Sequence, residues 1–355
     1  MKAAQHAGRR QALRVALGWG AGLAGLSAPA AARPARAALP STALQWRERA
    51  LLALGTTVWL RAGHASAEVA DTALAAAGAA VQQVEMQMSL FRPTSALCCL
   101  NRDGVLHAPP PELVVVLRLA QRVAARSAGR FDPTVQPLWQ LWQRTHAAGR
   151  RPTTAELHRA RQLVGWRGVN VQDDVIRLAR PGMALTLNGI AQGHAAGMAR
   201  RALQRHGIEH ALLDTGEWLP LGGAPAQTGA SAASAAANAW RLGVADPHQP
   251  GRLLGALQGD GRALACSSDD KLAFSADRRD HHILDPRSGR SPTQLSMVVV
   301  AAHDAALADA LTKPMFMGSA QAALALARDW RVDALVVDKA GHIAASPGLR
   351  FERAG

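Results

Sequence analysis

Helix-like and strand-like apolar segments are mixed along this chain, without the strict strand–helix–strand alternation of a parallel sheet. Residues 111–128 place apolar side chains at a 3.6-residue period and are followed by Gly129, which predicts a helix with a defined end. Residues 211–213 and 295–302 are short apolar runs typical of buried strands. The mixture predicts an α+β fold with largely antiparallel sheets flanked by helices.

The other elements follow from the same patterns. Further helices are predicted at residues 66–88, 191–206, 305–317 and 320–330, with Pro314 interrupting the third of these. Residues 53–60 predict a glycine-punctuated entry into a strand, a strand is predicted at residues 240–244, and a closing hairpin is predicted around residues 334–341. Residues 222–239 are small and of low complexity, which predicts a flexible surface loop.

Composition narrows the class of function. The 355 residues are 48% hydrophobic, which is enough for a sizeable core. A formal net charge of +14 suits polyanionic ligands or an anionic membrane face. No basic run interleaved with aromatic residues is present, which argues against nucleic-acid binding. Cys98, Cys99 and Cys266 have neither disulfide-framework nor zinc spacing, so we interpret them as small packing residues.

Residues 1–37 are typical of an export signal, and residues 38–355 would then form the folded domain. Residues 8–14 resemble a twin-arginine motif, a short Gly-rich apolar stretch follows, and small-x-small cleavage sites end the segment. The first cysteine is Cys98, so no lipobox follows the apolar stretch. We therefore expect a periplasmic protein without a stable membrane anchor. A disordered basic tail is the alternative.

Four polar or glycine-rich segments separate the apolar elements, at residues 88–102, 129–135, 187–193 and 281–312. Each has a structural alternative. Asp132-Pro133 is a common turn pair, and the glycines at 189 and 193 suit either a diphosphate at a helix N-terminus or helix–sheet packing. His281-His282 could be structural or catalytic, and Asp309 could be paired, capping or a metal ligand.

Taken together, the four segments resemble the ApbE family of FAD:protein FMN transferases, which implies an ApbE-like, T-fold-like architecture. The resemblance covers roughly residues 54–318 and is strongest at residues 129–134 (GRFDPT) and 282–292. Residues 187–193 (LNGIAQG) look more specifically like the NosX branch, which is associated with flavinylation of the membrane protein NosR in nitrous-oxide respiration.

The resemblance implies that FAD is the donor and that a divalent metal, usually Mg²⁺, lies by its diphosphate. A Thr or Ser hydroxyl of a NosR-like flavoprotein would attack the FMN-side phosphate, AMP would leave, and FMN would remain as a phosphoester. Such chemistry needs charge neutralisation of the diphosphate, an aligned nucleophile and a group that handles its proton.

Carried over by motif, the resemblance implies a role for each of the following residues. His282 would accept or steer the hydroxyl proton. The FAD site would be formed by Leu54, Phe91, Arg130, Phe131, Asp132, Thr186, Gln192, Ser267 and Ile283. The metal would be held by the Gly189 carbonyl, Asp309 and Thr312.

Departures from the family pattern leave two alternatives open at the metal. The family places a metal-binding Thr four residues after the Asp, where this chain has Lys313, and Thr312 comes one position early. Either Lys313 places an ammonium on the diphosphate and partly replaces the metal, or Pro314 shifts the helix register and restores Thr312. The departures at Lys313 and Thr186 also keep open a non-catalytic FAD-binding maturation factor. A third possible function is an FAD pyrophosphatase that uses water as the nucleophile and releases FMN and AMP.

Overall fold

The computed structural model describes residues 43–225 and 239–354. Its central feature is an eight-stranded sheet in the order β1-β2-β6-β7-β10-β11-β12-β13, with every paired neighbour antiparallel. These strands are β1 (Gln45–Ala53), β2 (Thr56–His64), β6 (His210–Asp214), β7 (Trp218–Leu221), β10 (Ala263–Ser268), β11 (Leu295–Ala302), β12 (Asp333–Asp338) and β13 (Ile343–Ala345).

Two three-stranded antiparallel sheets accompany the central sheet. One contains β3 (Val105–His107), β4 (Val169–Val171) and β5 (Val175–Leu178), and the other contains β8 (Arg241–Ala245), β9 (Leu253–Gln258) and β14 (Phe351–Arg353). The helices are α1 (Ala67–Met88), α2 (Ala96–Asp103), α3 (Pro111–Arg126), α4 (Gln136–Ala147), α5 (Thr154–Arg161), α6 (Ala191–Arg205), α7 (Ala305–Phe316) and α8 (Ala320–Trp330). The predicted α+β class with largely antiparallel sheets and flanking helices is confirmed.

The elements form where local signals favour them. Ser66 caps α1 by accepting a hydrogen bond from the Val69 amide, and the buried residues of α1 recur every three or four positions. All eight residues of β11 are buried, because this strand lies inside the sheet with α7 against one face, and Met297 and Val299 pack with Val244 and Leu257 of the β8–β9 sheet. The apolar run from 295 to 302 therefore reflects burial on both faces of the sheet.

The predicted glycine-punctuated entry into a strand at residues 53–60 is confirmed, since Leu54 and Gly55 form a hairpin turn between Ala53, which ends β1, and Thr56, which begins β2. Both turn residues have positive φ, at 53° and 74°, as a two-residue hairpin turn requires. The predicted interruption at Pro314 is wrong, since α7 runs through it to Phe316. The proline lacks one helical hydrogen bond because it has no N–H, but it lies in the last turn and only two helical residues follow it.

One end of the central sheet collects the turns that carry the candidate residues. The β1–β2 turn, the β6–β7 turn, the last residues of β10 and the first residues of β11 all lie there, because the register pairs Trp59 with Asp214 and Ser268 with Met297. Neighbouring antiparallel strands bring alternate turns to the same end of a sheet. The site is therefore assembled at this end from segments far apart in the chain.

The predicted export signal at residues 1–37 lies outside the described residues, as does most of the predicted loop at 222–239. At the loop's borders, Gly223 and Ala239 form an antiparallel bridge. None of the helices in residues 43–225 and 239–354 has the length and apolar character needed to cross a membrane.

Candidate functional site

The N-terminus of α6 packs closely against α7. The Gly193 amide donates a hydrogen bond to Asp309 Oδ2 at 3.1 Å, across 116 residues of sequence. A Cβ on Gly193 would lie 2.1 Å from the Ala305 carbonyl oxygen, so only glycine allows this approach. The third glycine-rich segment thus has a packing role at Gly193, and it brings the start of α6 to the Asp309 carboxylate.

Asp309 is fully buried and paired with Lys313, one helical turn later on α7. Lys313 Nζ lies 2.6 Å from Asp309 Oδ1 and 3.2 Å from the Asp309 carbonyl oxygen. Asp309 and Lys313 make this i,i+4 contact within one continuous helix that runs on to Phe316, so Thr312 stays one position before the place of the family threonine. Of the three roles considered for Asp309, the structure shows pairing.

Thr312 and Ser267 join α7 to the end of β10. The Thr312 hydroxyl donates to the Asp309 carbonyl oxygen at 2.7 Å, and its Oγ1 lies 2.8 Å from Ser267 Oγ. Thr312 is fully buried and Ser267 is 7% exposed. The structure therefore brings together two residues predicted for different roles, one for the metal and one for FAD.

A buried carboxyl group that the sequence did not single out lies beside this pair. Glu217 is 4% exposed, and its Oε2 accepts a hydrogen bond from the Cys266 amide at 2.8 Å. Burial, together with the nearby Asp309 carboxylate, raises the pKa of Glu217 well above its ordinary value. Burial also raises the pKa of the Cys266 thiol, to about 12, so this cysteine is not a thiolate nucleophile near neutral pH.

Gln192 lies over the β6–β7 turn. Its carbonyl oxygen accepts a hydrogen bond from the Thr215 hydroxyl at 2.9 Å. A Cβ on Gly216 would lie 2.6 Å from Gln192 Nε2, and Gly216 has a φ of 95°. Gly216 therefore leaves room for the Gln192 side chain, which is predicted to contact FAD.

Asp132 organises the loop between α3 and α4. Its Oδ1 accepts hydrogen bonds from the Thr134 amide and hydroxyl, and its Oδ2 accepts one from the Trp166 amide at 3.0 Å. Burial raises the pKa of Asp132, and these bonds offset part of that increase. The carboxylate thus holds the turn and a short 3-10 helix at Trp166–Gly168, as the turn alternative predicts.

Arg130 and Phe131 precede Asp132 in the same loop. Phe131 is 5% exposed and belongs to the main hydrophobic core. Arg130 Nε is buried and makes no hydrogen bond within residues 43–225 and 239–354. A buried donor without a partner costs free energy, so Arg130 is suited to receive a polar or anionic ligand.

Thr186 connects this loop to the glycine-rich segment. Its amide donates to the Pro133 carbonyl oxygen at 2.8 Å, and its Oγ1 accepts from the Asn188 amide at 3.3 Å. The second and third candidate segments are therefore neighbours in the fold. Gly189, three residues after Thr186, lies against the Lys313 side chain.

Leu54 and Phe91 lie at the ends of neighbouring elements. The Leu54 amide donates to Glu85 Oε2 near the end of α1, and the Phe91 amide donates to Ser89 Oγ just after that helix. Leu54 is 7% exposed, whereas Phe91 is 57% exposed. Phe91 is thus an aromatic side chain at the surface, as its predicted contact with the flavin ring would require.

The structure separates the two neighbouring histidines. His281 is fully buried, its Nε2 lies 3.0 Å from the Pro292 carbonyl oxygen, and its ring packs against Phe316. Burial lowers the pKa of His281, and its full burial and its contacts favour the structural alternative for this residue. His282 is only partly buried, and its Nδ1 lies 3.2 Å from the Leu272 carbonyl oxygen. Ile283 is 5% exposed and belongs to the core.

Sequence reasoning missed Glu217 and Glu85, which hold site segments in place. A signal for Glu217 exists, because residues 214–217 (DTGE) are a polar cluster directly after a buried strand. No comparable signal marks Glu85, which lies in the last turn of a long helix and bonds an amide 31 residues away.

Metal ligands are sparse in this region. Within the described ranges, no three His, Cys, Asp or Glu side chains form a group suited to a metal ion. Both oxygens of Asp309 are already bonded, one to an amide and one to an ammonium. Mg²⁺ needs near-octahedral oxygen ligands at about 2.0–2.1 Å, and the donor set here does not fit that requirement.

Comparisons with known proteins agree on one family. The model of the ApbE family matches residues 54–336. An FAD:protein FMN transferase of Treponema pallidum (strain Nichols) is 29% identical over 317 residues, covering 85% of this chain and 87% of that protein. An FAD:protein FMN transferase of Klebsiella pneumoniae (strain 342) is 28% identical over 280 residues, covering 76% and 84%.

Solved structures agree with the fold. The ApbE protein of Thermotoga maritima superposes with a TM-score of 0.73 at 25% identity, covering 85% of this chain and 97% of that one. The flavin transferase ApbE of Vibrio cholerae superposes with a TM-score of 0.71 at 22% identity, covering 86% and 98%. The α+β architecture described above is thus shared with both.

Proposed function

Because the chain belongs to the ApbE family, we propose that it is an FAD:protein FMN transferase. A Thr or Ser hydroxyl of an acceptor protein attacks the FMN-side phosphorus of FAD. The bond from that phosphorus to the AMP side breaks, AMP leaves, and FMN stays on the acceptor as a phosphoester. Two sequence relatives with this name cover most of the chain, which supports the proposal.

One observation carries the assignment of the donor site. The N-terminus of α6, the Lys313 ammonium and the Ser267 hydroxyl meet at one end of the central sheet. Amides at a helix start favour anions, and an ammonium adds a full positive charge. This arrangement is suited to a diphosphate, and the unpartnered Arg130 Nε adds a further donor in a neighbouring segment.

We propose that His282 accepts the proton of the attacking hydroxyl. When His282 Nδ1 donates to the Leu272 carbonyl oxygen, Nε2 carries the lone pair that can accept a proton. The His282 amide also donates to the Leu272 carbonyl oxygen at 2.9 Å, which fixes the backbone at this point. The partial exposure of His282 allows an acceptor protein to approach, whereas His281 is fully buried.

We further propose that the acceptor is a NosR-like membrane flavoprotein and that transfer takes place in the periplasm. The support is the NosX-like sequence at residues 187–193 and the twin-arginine pattern at residues 8–14. Protein flavinylation for nitrous-oxide respiration would be the resulting role.

The test is a transfer assay with the purified protein, FAD and the flavin-bearing domain of a NosR-like protein. Covalent flavin is read as fluorescence of the acceptor band on a denaturing gel, and released AMP is quantified. Positioned general bases contribute about a hundredfold or more to rate, so His282→Ala should lower transfer by at least that factor. His206→Ala is the matched control, because His206 caps the far end of α6 and is exposed.

Each other outcome identifies a different function. AMP and free FMN formed without acceptor would indicate an FAD pyrophosphatase. Bound, intact FAD with two different acceptors left unlabelled would indicate a non-catalytic FAD-binding factor. Equal transfer by His282→Ala and the wild type would remove His282 from the proton step.

A further inference from the structure

Lys313 stands four residues after Asp309, at the position where the ApbE pattern has a metal-binding threonine. We propose that the Lys313 ammonium supplies the positive charge next to the FAD diphosphate, and that this chain binds FAD there without a metal ion. The inference rests on the proposed function, because it concerns the diphosphate of that donor. It is carried by the contacts of Lys313 with two of the three residues predicted to bind the metal, Asp309 and Gly189.

The first of these candidates is the Asp309 carboxylate. Its Oδ1 lies 2.6 Å from Lys313 Nζ, and its Oδ2 accepts the Gly193 amide. Asp309 is fully buried, so the ion pair is shielded from water on the carboxylate side. A divalent cation at this carboxylate would face an ammonium at close range, and like charges repel strongly where water is scarce.

The second candidate is the backbone of Gly189. A Cβ built on Gly189 would lie 2.8 Å from Lys313 Cε and 3.5 Å from Lys313 Nζ. The end of the lysine side chain therefore lies directly against the glycine whose carbonyl was predicted to bind the metal. Lys313 thus contacts both Asp309 and Gly189, which the family pattern would join through the metal.

The third candidate, Thr312, is engaged elsewhere. Its hydroxyl donates to the Asp309 carbonyl oxygen and its Oγ1 contacts Ser267 Oγ. Since α7 keeps its register through Pro314, Thr312 is rotated away from the position one full turn after Asp309. That position belongs to Lys313.

Lys313 can still donate a hydrogen bond to a ligand. An ammonium has three N–H donors, and the two contacts with Asp309 leave one for another acceptor. Its side chain is 22% exposed, so it is not sealed in the interior with Asp309. A phosphate oxygen is a strong acceptor for such a donor, and a lysine binds phosphate as a point charge.

Metal binding tests the proposal directly. Mn²⁺, which serves as a paramagnetic probe, is titrated into the wild type and into Lys313→Thr, with and without FAD, and free Mn²⁺ is followed by electron paramagnetic resonance. Lys313→Thr restores the Asp-plus-four threonine of the family pattern and removes the ammonium. We expect tight, stoichiometric Mn²⁺ binding to Lys313→Thr and none to the wild type.

FAD affinity provides a second, metal-free measurement. In EDTA, Lys313→Met should bind FAD about tenfold to a hundredfold more weakly than the wild type, as expected for loss of a charge-assisted hydrogen bond. Lys313→Arg should recover much of the affinity. Arg262→Met is the matched control, because Arg262 pairs with Asp260 and Asp333 at the opposite end of the sheet.

The outcomes separate the two proposals. Stoichiometric Mn²⁺ binding by the wild type, with transfer abolished by EDTA, would overturn the role of Lys313 and leave the transferase function standing. Unchanged FAD affinity in a folded Lys313→Met would also overturn it and reduce Lys313 to a structural ion pair. If FAD is bound but no acceptor is labelled, the transferase proposal fails, while the Mn²⁺ and affinity results still decide the role of Lys313.

Discussion

Glu217 shows how a single buried group can make stability depend on pH. It is held at the start of β7 by the Cys266 amide, and both burial and the Asp309 carboxylate raise its pKa above the ordinary 4.5. A carboxyl group with a higher pKa in the folded than in the unfolded state binds more protons when folded. Its contribution to stability therefore falls as the pH rises above 4.5.

Replacing Glu217 with Gln should remove this dependence. Glu217→Gln keeps a carbonyl oxygen for the Cys266 amide but cannot ionise. The free energy of unfolding of Glu217→Gln minus that of the wild type should be larger at about pH 8 than at about pH 5. The increase should be about 1.4 kcal/mol for each unit by which the folded-state pKa exceeds the unfolded-state pKa within this window. Urea unfolding at both pH values measures it.

Glu156→Gln is the control for that comparison. Hydrogen bonds from Arg150 and Thr153 lower the pKa of Glu156, so this group stays ionised throughout the same pH window. Its substitution should therefore change stability equally at both pH values. If the effect of Glu217→Gln were also equal at both pH values, the Glu217 carboxyl group of the wild type would have to titrate alike in the folded and unfolded states.

At the scale of elements, the packing of α6 on α7 sets the site. The two helices approach closely enough at Gly193 that the Ala305 carbonyl oxygen occupies the space of a Cβ. This approach allows the Gly193 amide to reach Asp309, and it presents the start of α6 beside Lys313. The spacing between helices, rather than any side chain on α6, therefore determines the geometry of the proposed diphosphate site.

Two glycines of α6 should respond oppositely to alanine. Gly193→Ala forces a clash with backbone, which should destabilise the protein by about 1–3 kcal/mol or more and weaken FAD binding. Gly197→Ala meets only a side-chain nitrogen of Arg201 at 3.7 Å, so it should stabilise α6 by up to about 1 kcal/mol. Thermal unfolding and FAD titration of both variants test this. A Gly193→Ala variant of unchanged stability and affinity would contradict the role given to helix packing.

At the scale of the whole molecule, the antiparallel sheet gathers distant segments at one end. Residues 54–55, 214–217 and 266–268 meet there because the strands that carry them are neighbours in register. Residues 129–134 are held near them by the hydrogen bond from the Thr186 amide to the Pro133 carbonyl oxygen. The opposite end carries the Arg262 ion pairs with Asp260 and Asp333.

FAD should therefore protect one end of the sheet and not the other. Hydrogen–deuterium exchange with and without FAD should show slower exchange in residues 54–57, 130–134, 188–193 and 266–269, because bound ligand lowers the population of locally opened states. Residues 260–263 and 331–333 are the internal control and should not change. Protection confined to the control segments would place the FAD site elsewhere.

Much of the fold was predictable because its signals are local. The predicted helices at residues 66–88, 111–128 and 191–206 correspond to α1, α3 and α6, and the closing hairpin corresponds to β12 and β13. Strand β1 and the short strands β3, β4 and β5 were missed. In β1 most side chains are exposed, so its sequence lacks a clear apolar alternation. The short strands have only three or four residues each.

The sequence by itself determined the family, the order of the polar segments and the helices that separate them, because motif spacing and periodicity are properties of neighbouring residues. The tertiary structure decided which of two adjacent histidines is buried and which is accessible, and that Asp309 is bonded to Lys313 and to Gly193. It also placed Glu217 beside them. These outcomes depend on helix spacing and strand register, which bring together residues up to 116 positions apart in the chain.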